Sequence, residues 1–382
     1  MSPLNTLTFR HRLPALLVIG LLSIPWLPAK ADTQPAPVGA QPAPSVWAAA
    51  LDAIDADGLN VHSVLIQRGS DIVAERYREG SDRGLYSLWS SPKRFGPDDL
   101  HDMRSISKSV IGLLYGILLE RGTVPSLETP VASLYAQHSE LNQPPKNAIQ
   151  IRHLLTMSAG LAWNEPSPVR RTRDDDQTSL VWTGDICATV FGHEVQARPG
   201  ETFVYSGGLT SVLADIMERS TGRPLTELVD QELFQPLGIR GWTWTRDLRS
   251  RPIAYAGLRL LPRDLLKIGV LVLQGGRWQG RQLVPAAWVK AATSPQLAAS
   301  PDLGYGYQWW TSEQTVGSHK LPVIQAIGNG GQRLYVVPEL DMVVAMTAGD
   351  YGTPDILTAE NRVFSLLLTA ATQELQRATT SR

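Results

Sequence analysis

Cysteine is almost absent from this chain, which has one, Cys187, among 382 residues. A single cysteine cannot form an internal disulfide, so stability has to come from an apolar core, for which 43% hydrophobic residues suffice. Cys187 lies in an apolar, helix-like segment, and we predict a buried structural thiol rather than a nucleophile. The length allows one large domain or two smaller ones.

The chain also has no large excess of charge of either sign, because its 35 Lys and Arg nearly balance its 36 Asp and Glu. Without a basic face or a long charge block, nothing favours a nucleic-acid partner. The partner that we expect is a small-molecule substrate. Composition and charge predict no oligomeric state.

Several familiar catalytic motifs are absent as well. The chain has no G-x-S-x-G, and His193-Glu194 lacks the second histidine of a zinc-binding helix. The seven histidines are scattered, and His153 lies in an apolar segment with no partner at metal-ligand spacing, so we predict that it is structural. We therefore expect neither a metal nor another cofactor.

Long hydrophobic runs are lacking except near the N-terminus. Basic residues at 10–12 precede an apolar run from Leu13 to Trp26, and Ala29-Lys30-Ala31 is a small-x-small cleavage pattern. This predicts a cleavable signal peptide over residues 1–31, a periplasmic or secreted location and no stable membrane insertion after cleavage. An uncleaved anchor is the alternative. Residues 32–44, rich in Pro and Ala, are predicted to be a flexible leader.

The pattern of apolar residues predicts strands near both ends of the chain and helices between them. His62–Tyr77 indicates a hairpin, and Leu321–Gly349 contains three β-rich runs, the last two joined by a turn at 338–341. Residues from about 124 to 247 are helix- and loop-like, and Ala359–Gln376 is an amphipathic helix. We expect the terminal strands to pair in one antiparallel sheet with helices on its faces.

The segment Ser105-Ile106-Ser107-Lys108 leads into an almost wholly apolar helix that reaches Leu119. Residues three apart share a helix face, so Lys108 could take the proton of Ser105 and make it a nucleophile. Apolar surroundings favour a neutral lysine, which can act as a base. Gly112 and Gly116 would allow close packing of the helix. The residues alone leave open an N-cap serine beside a surface lysine.

Ser105–Lys108 resembles the nucleophile motif of serine β-lactamases and penicillin-binding proteins. The resemblance runs from about Ser45 to the C-terminus, and is strongest to the class C branch, to aminohexanoate-dimer (nylon-oligomer) hydrolases and to class-C-like esterases. The later segments that resemble this family, in the expected order, are Ile149–Glu165, Arg198–Gly208, Leu258–Pro285, Tyr305–Trp310 and the region around Asn329.

This resemblance implies an α/β (α+β) fold of the β-lactamase/transpeptidase type, an antiparallel sheet flanked by helices with an inserted helical subdomain. The implied domain spans residues 45–382, with the insert at about 124–247. The implied function is that of an exported serine hydrolase, which cleaves an amide or ester bond through a Ser105 acyl-enzyme.

The resemblance also implies roles for the later motifs. Tyr205, in the Y-x-N position, would share proton transfer with Lys108, although its spacing alone favours a half-buried packing tyrosine. The backbone N–H groups of Ser105 and Gln332 would form the oxyanion hole. The implied substrate-binding residues are Asn329, Gly330 and Gly331, whose glycines could alternatively serve a tight hairpin turn.

Two departures from the family pattern bear on the substrate. Gly207 stands where Y-x-N has Asn, and Asn329 stands where K-T-G has the Lys that would hold a β-lactam carboxylate. Both favour an esterase or amidase over a β-lactamase or D,D-peptidase, which remains an alternative. A non-catalytic ligand sensor of the same fold is a second alternative.

Two further segments have more than one interpretation. Trp163, Trp309 and Trp310 could line an acyl pocket, but we expect core packing. Residues 170–176 are predicted to be a solvated loop, with a lid near the site as the alternative.

Overall fold

The computed structural model describes residues 45–87, 89–165, 175–317, 319–351 and 356–380. The predicted signal peptide and leader, residues 1–44, lie outside the described residues. In the described ranges, every helix is too short or too polar to span a lipid bilayer.

The described residues form fifteen strands and eleven α-helices. The strands are β1 (Val61–Arg68), β2 (Asp71–Tyr77), β3 (Glu79–Asp82), β4 (Ser91–Arg94), β5 (His101–Asp102), β6 (Thr243–Trp244), β7 (Leu258–Leu260), β8 (Arg277–Trp278), β9 (Arg281–Gln282), β10 (Leu297–Ser300), β11 (Leu303–Tyr305), β12 (Trp310–Val316), β13 (His319–Gly328), β14 (Gln332–Val337) and β15 (Met342–Ala348). The helices are α1 (Val46–Ala56), α2 (Ile106–Glu120), α3 (Ile151–Leu155), α4 (Asp176–Trp182), α5 (Ile186–Phe191), α6 (Gly207–Thr221), α7 (Leu225–Val229), α8 (Gln235–Leu237), α9 (Pro262–Leu273), α10 (Ala286–Ala292) and α11 (Ile356–Thr380).

One eight-stranded antiparallel sheet joins strands from both ends of the chain, as the sequence predicts. Its order is β10-β11-β12-β13-β14-β15-β1-β2, so β1 pairs with both its hairpin partner and β15. The buried hydroxyls of Ser63 and Thr347 meet at 2.6 Å across the β1–β15 junction. The predicted hairpin and the three C-terminal strands are therefore confirmed.

Helices cover both faces of the sheet. On β1, Val64 and Ile66 pack with α1 and α11, whereas Leu65 belongs to the larger core that contains α2 and α9. Because both faces are covered, the middle of β1 is buried at every position and shows no polar alternation. This is why three apolar residues, Val64, Leu65 and Ile66, follow one another in the sequence.

The middle of the chain is helical. From Val131 to Leu237 the described elements are helices, linked by loops and isolated bridges, and the treatment of 124–247 as an inserted subdomain stays a prediction. Cys187 is buried in α5, and burial raises the pKa of its thiol to about 12, as expected of a structural cysteine.

Helix α2 runs through the larger core, and thirteen of its fifteen residues are buried. Its two glycines allow this. A Cβ at Gly112 would lie 2.6 Å from the carbonyl oxygen of Tyr307, and a Cβ at Gly116 would lie 2.2 Å from a ring carbon of Trp288. The predicted close packing is therefore observed.

Candidate active site

The first turn of α2 places Ser105 at the surface of the core. The turn is fixed by Ser107, whose hydroxyl donates to the carbonyl of Arg104 at 2.6 Å and accepts from the backbone N–H of Leu258 at 3.1 Å. Arg104 has φ +50°, a conformation that is uncommon outside glycine and is frequent at functional sites. Ser105 is partly exposed between buried neighbours on both sides.

Lys108 reaches back along the helix to Ser105. Its Nζ donates to Ser105 Oγ at 3.0 Å and to the carbonyl oxygen of Tyr255 at 3.2 Å, and the side chain is 1% exposed. The Ser105 hydroxyl makes no capping hydrogen bond to the helix. The sequence alternative, an N-cap serine beside a surface lysine, is therefore wrong, because the lysine is buried and the serine hydroxyl does not cap the helix. The pair can instead exchange a proton.

Tyr205 lies beside Lys108 and presents the face of its ring. Lys108 Nζ is 4.6 Å from the ring centroid, a cation–π distance. The same ring packs against Trp310 at 5.5 Å between centroids and is near Phe203 and Tyr305. Both sequence interpretations thus have a structural counterpart, and the role of Tyr205 in proton transfer stays a prediction.

The sequence analysis missed Glu165, a second charged group at this site. Its Oε1 is 3.6 Å from Lys108 Nζ, and its Oε2 accepts from the backbone N–H of Gly207 at 2.6 Å and from Trp163 Nε1 at 3.0 Å. The side chain is 4% exposed. Glu165 is the last residue of the family-like segment Ile149–Glu165. A single glutamate beside a loop is usually solvated, so the sequence offers no reason to assign it to the site.

Position 207 has no room for the Asn of Y-x-N. A Cβ on Gly207 would lie 2.9 Å from Cγ of Tyr255 and 3.3 Å from Oε2 of Glu165. The glycine is the first residue of α6, and Ser206 caps this helix by accepting from the N–H of Leu209. Where the family motif has an Asn side chain, this protein therefore has the side chains of Tyr255 and Glu165.

The third motif region is a tight turn between β13 and β14. Gly330 and Gly331 have φ values of +87° and +91°, which favour glycine. Side chains there would meet Tyr351 and Ala348, so the space above these glycines is filled by protein. Asn329 borders the same cavity as Ser105, whereas the two glycines are not among its described lining residues. This is the geometry of the hairpin alternative, and the substrate-binding role of the turn stays a prediction.

Gln332, the first residue of β14, is fully buried. Its side-chain amide donates to the carbonyl of Ala348 at 2.5 Å and accepts from the N–H of the same residue at 3.3 Å, which ties β14 to β15. Its backbone role in an oxyanion hole stays a prediction.

A cavity of about 220 Å³ opens on Ser105. Much of its wall is apolar or aromatic, and guanidinium groups and a carboxylate add charge. At one side, the Arg104 guanidinium stacks on the ring of Tyr351 at 4.3 Å and donates to the carbonyl of Arg83. The apolar side of the wall includes Leu85, Val181, Trp182 and Ile253.

The three tryptophans considered as pocket residues are not among the described residues of this wall. Trp309 is fully buried, which agrees with core packing. Trp182, which the sequence analysis did not single out, lines the cavity and is 64% exposed.

The predicted solvated loop at 170–176 is wrong at Asp175. This residue is buried, borders the cavity and caps α4 by accepting from the N–H of Gln177 at 2.9 Å. Its carboxylate is held by the start of the helix rather than by water. Residues 170–174 lie outside the described residues.

His153 has a structural contact that explains its place in an apolar segment. Its Nδ1 accepts from the backbone N–H of Gln150 at the start of α3, and burial lowers the pKa of the ring to about 4. In the described ranges, no cluster of three His, Cys, Asp or Glu side chains has a geometry that would hold a metal ion.

Comparisons with known proteins show the family to which the chain is related. The family model described as Beta-lactamase matches residues 53–366. The 6-aminohexanoate-dimer hydrolase of Paenarthrobacter ureafaciens is 28% identical over 298 residues, which is 73% of this chain and 70% of that protein. Esterase EstB of Burkholderia gladioli is 27% identical over 205 residues, half of each chain.

The fold has solved counterparts. A Bacillus anthracis structure described as a candidate 6-aminohexanoate-dimer hydrolase superposes with a TM-score of 0.66 at 22% identity, and the match covers 83% of this chain and 81% of that one. At this identity the likeness supports the fold alone.

Proposed function

This chain belongs to the beta-lactamase family of hydrolases, and we propose that it is an exported serine hydrolase that cleaves an amide or ester bond through an acyl-enzyme on Ser105. One observation carries the proposal. The buried Lys108 Nζ lies 3.0 Å from Ser105 Oγ, and Ser105 is the residue of the Ser105–Lys108 motif that lines the open cavity. A serine hydroxyl becomes a useful nucleophile when a positioned base can take its proton.

In the proposed reaction, Ser105 Oγ attacks the substrate carbonyl carbon while its proton passes to Lys108. The backbone N–H groups of Ser105 and Gln332 stabilise the negative charge that develops on the carbonyl oxygen. The tetrahedral intermediate collapses, and the leaving amine or alcohol takes a proton from the Lys108 and Tyr205 pair. Water then attacks the acyl-enzyme and gives a proton to the same base, which passes it to Ser105 Oγ as the bond to the serine breaks and the acid is released.

The proposed substrates are small amides or esters with an apolar part. Support comes from the cavity wall, where Leu85, Val181, Trp182 and Ile253 provide apolar contact. The relatives that are named as a dimer hydrolase and an esterase cover amide and ester chemistry between them. Gly207 and the uncharged Asn329 weigh against a β-lactamase or D,D-peptidase.

The test is the intact mass of the full chain after incubation with a fluorophosphonate. We expect one adduct on the wild type, none on Ser105→Ala and one on Ser109→Ala. Ser109 is a matched control because it is four residues further along α2 and donates to the carbonyl of Gln308. An adduct on Ser105→Ala, or none on the folded wild type, would contradict the proposal and favour a ligand sensor. A fluorescent penicillin tests the β-lactam alternative in parallel.

Export is proposed from residues 1–31 alone. Expression in a secreting bacterial host should give a mature protein whose mass corresponds to a chain that begins at Asp32. A full-length mass in the exported fraction, or retention in the cytoplasm, would contradict this part of the proposal.

A further inference from the structure

We propose that Glu165 is a positioning residue for catalysis, the counterion that holds Lys108 against Ser105, and that it occupies the place of the side chain missing at position 207. This inference rests on the proposed function, since it takes Ser105 as the nucleophile and Lys108 as its base. Glu165 itself touches Lys108 rather than the reacting atoms.

The contacts of Glu165 are those of an ionised carboxylate. Oε2 receives two N–H groups, from Gly207 at 2.6 Å and from the indole of Trp163 at 3.0 Å, and such groups can only donate. Gly207 begins α6, a helix of fifteen residues, whose N-terminus favours negative charge. A buried carboxylate also needs a cation nearby, and Lys108 Nζ is 3.6 Å from Oε1.

The backbone that leads into Glu165 is held by hydrogen bonds to two other segments. Ala162 donates to the carbonyl of Glu194 at 2.8 Å, and the N–H of Asn164 donates to the Asp176 carboxylate at 2.6 Å. These contacts hold the segment that carries the glutamate. The carboxylate thus follows directly on a hydrogen-bonded stretch of backbone, which supports a positioning role.

Glu165 and a side chain at position 207 compete for one space. A Cβ there would approach Glu165 Oε2 to 3.3 Å and the Tyr255 ring to 2.9 Å, so any longer side chain would displace one of them. The glycine at position 207 therefore leaves the space that the buried carboxylate of Glu165 occupies. The carboxylate accepts the helix N–H and faces the lysine, from the position where an Asn would otherwise project.

Of the groups that face Lys108 in the described part of the chain, Glu165 is the acidic one. The others are the Ser105 hydroxyl, the carbonyl and ring of Tyr255 and the ring of Tyr205. A carboxylate at 3.6 Å favours the ammonium form of the lysine and fixes its direction. Removal of this charge is therefore expected to alter both the direction of the lysine and the proton transfer from Ser105.

The experiment measures the rate constant for fluorophosphonate labelling of the full chain between pH 5 and 10. The variants are Glu165→Gln, which keeps the shape and an acceptor oxygen but removes the charge, and Glu201→Gln, an exposed glutamate four residues before Tyr205, as the matched control. For Glu165→Gln we expect the acidic limb of the pH–rate profile to move down by about one pH unit or more. The plateau above the limb should fall by about tenfold, because Lys108 is then no longer held in place against Ser105.

Glu165→Asp provides a second variant if Glu165→Gln does not fold, as judged by circular dichroism. It keeps the charge, so its limb should stay within about half a unit of the wild type, with a lower plateau. A limb at the same pH in wild type and Glu165→Gln, or an equal shift in Glu201→Gln, would overturn the proposal. If the wild type is not labelled at all, the proposed function fails, whereas a labelled wild type with an unmoved limb in Glu165→Gln refutes only the role of Glu165.

Discussion

The ring of Tyr255 lies where a side chain at position 207 would begin, 2.9 Å from the Cβ that Gly207 lacks. The same tyrosine supplies the carbonyl that accepts from Lys108 and donates its own hydroxyl to the carbonyl of Gln177 in α4. Tyr255 thus connects the start of α6, the lysine and the cavity wall. Restoring the family's Asn would disturb all three.

Gly207→Asn is expected to destabilise the protein by about 1–3 kcal/mol, because the new side chain overpacks the space held by Tyr255 and Glu165. Urea unfolding followed by circular dichroism measures this. Gly84→Asn is the control, since Gly84 is exposed and a Cβ there has nothing within 4 Å. Equal stability of wild type and Gly207→Asn would show that Tyr255 moves away freely.

Lys108→Ala should lower the rate of acylation by about 100-fold or more, because the general base is lost. It should also cost about 3–5 kcal/mol of stability, because Glu165 becomes a buried charge without its cation. Adding Glu165→Gln should recover part of the stability and none of the acylation. Lys290→Ala, at an exposed position, is the control. Normal acylation by Lys108→Ala would refute its assignment as the base.

Gly116→Ala is expected to destabilise the fold, although alanine is the better helix former. The added methyl would lie 2.2–2.3 Å from three ring atoms of Trp288, whose indole donates to the carbonyl of Gly112. Overpacking of about 1–3 kcal/mol should outweigh the gain of about 1 kcal/mol in helix propensity. Thermal unfolding of Gly116→Ala beside Gly84→Ala checks this, and a higher melting temperature for Gly116→Ala would contradict it.

Acid should weaken the fold through His101. Burial, and then the neighbouring His62, lowers the pKa of His101 to about 3, while its unfolded value is about 6.5. The folded state therefore keeps this ring neutral while the unfolded chain takes up a proton. The stabilisation is fully present above about pH 6.5 and is lost as pH falls towards 3, by at most about 1.4 kcal/mol per unit.

The variant His101→Phe tests this, because Phe fits the aromatic cluster that His101 forms with His62 and Phe95. The free energy of unfolding, measured in urea at pH 7, 6, 5 and 4.5, should fall less steeply with acid in this variant. Identical slopes for wild type and His101→Phe would rule out this histidine as the cause.

The sequence predicted those parts of the molecule where neighbouring residues determine the structure. The hairpin at His62–Tyr77 and the C-terminal strands carry dense β-branched runs, and the spacing of Ser105 and Lys108 follows from one helical turn. Strands β10–β12 were not predicted, because segments such as "LAAS" have small side chains and a weak pattern. They form strands by pairing with a neighbour in the folded sheet, β10 with β11 and β12 with β13.

Glu165 escaped prediction for a different reason. Its ionic partner is 57 positions away from it and the helix N–H that it accepts is 42 positions away, so no local pattern indicates either contact. The same holds for Tyr255, which is joined to Lys108 across 147 positions. Site residues that act through non-local contacts need the fold before they can be recognised.

The order of strands in the sheet affects how the chain can fold during its synthesis on the ribosome. Strand β1 lies between β2 and β15, and Ser63 meets Thr347 across 284 positions. At a synthesis rate of about 5–20 residues per second, β1 and β2 leave the ribosome roughly 15–60 s before β15, the other neighbour of β1, has been synthesised. During that interval an apolar strand has an open edge, and the core around α2 lacks the sheet that covers it. We expect nascent chains to depend on a holding chaperone until β15 is synthesised, and the nucleophile to become reactive only after that late pairing.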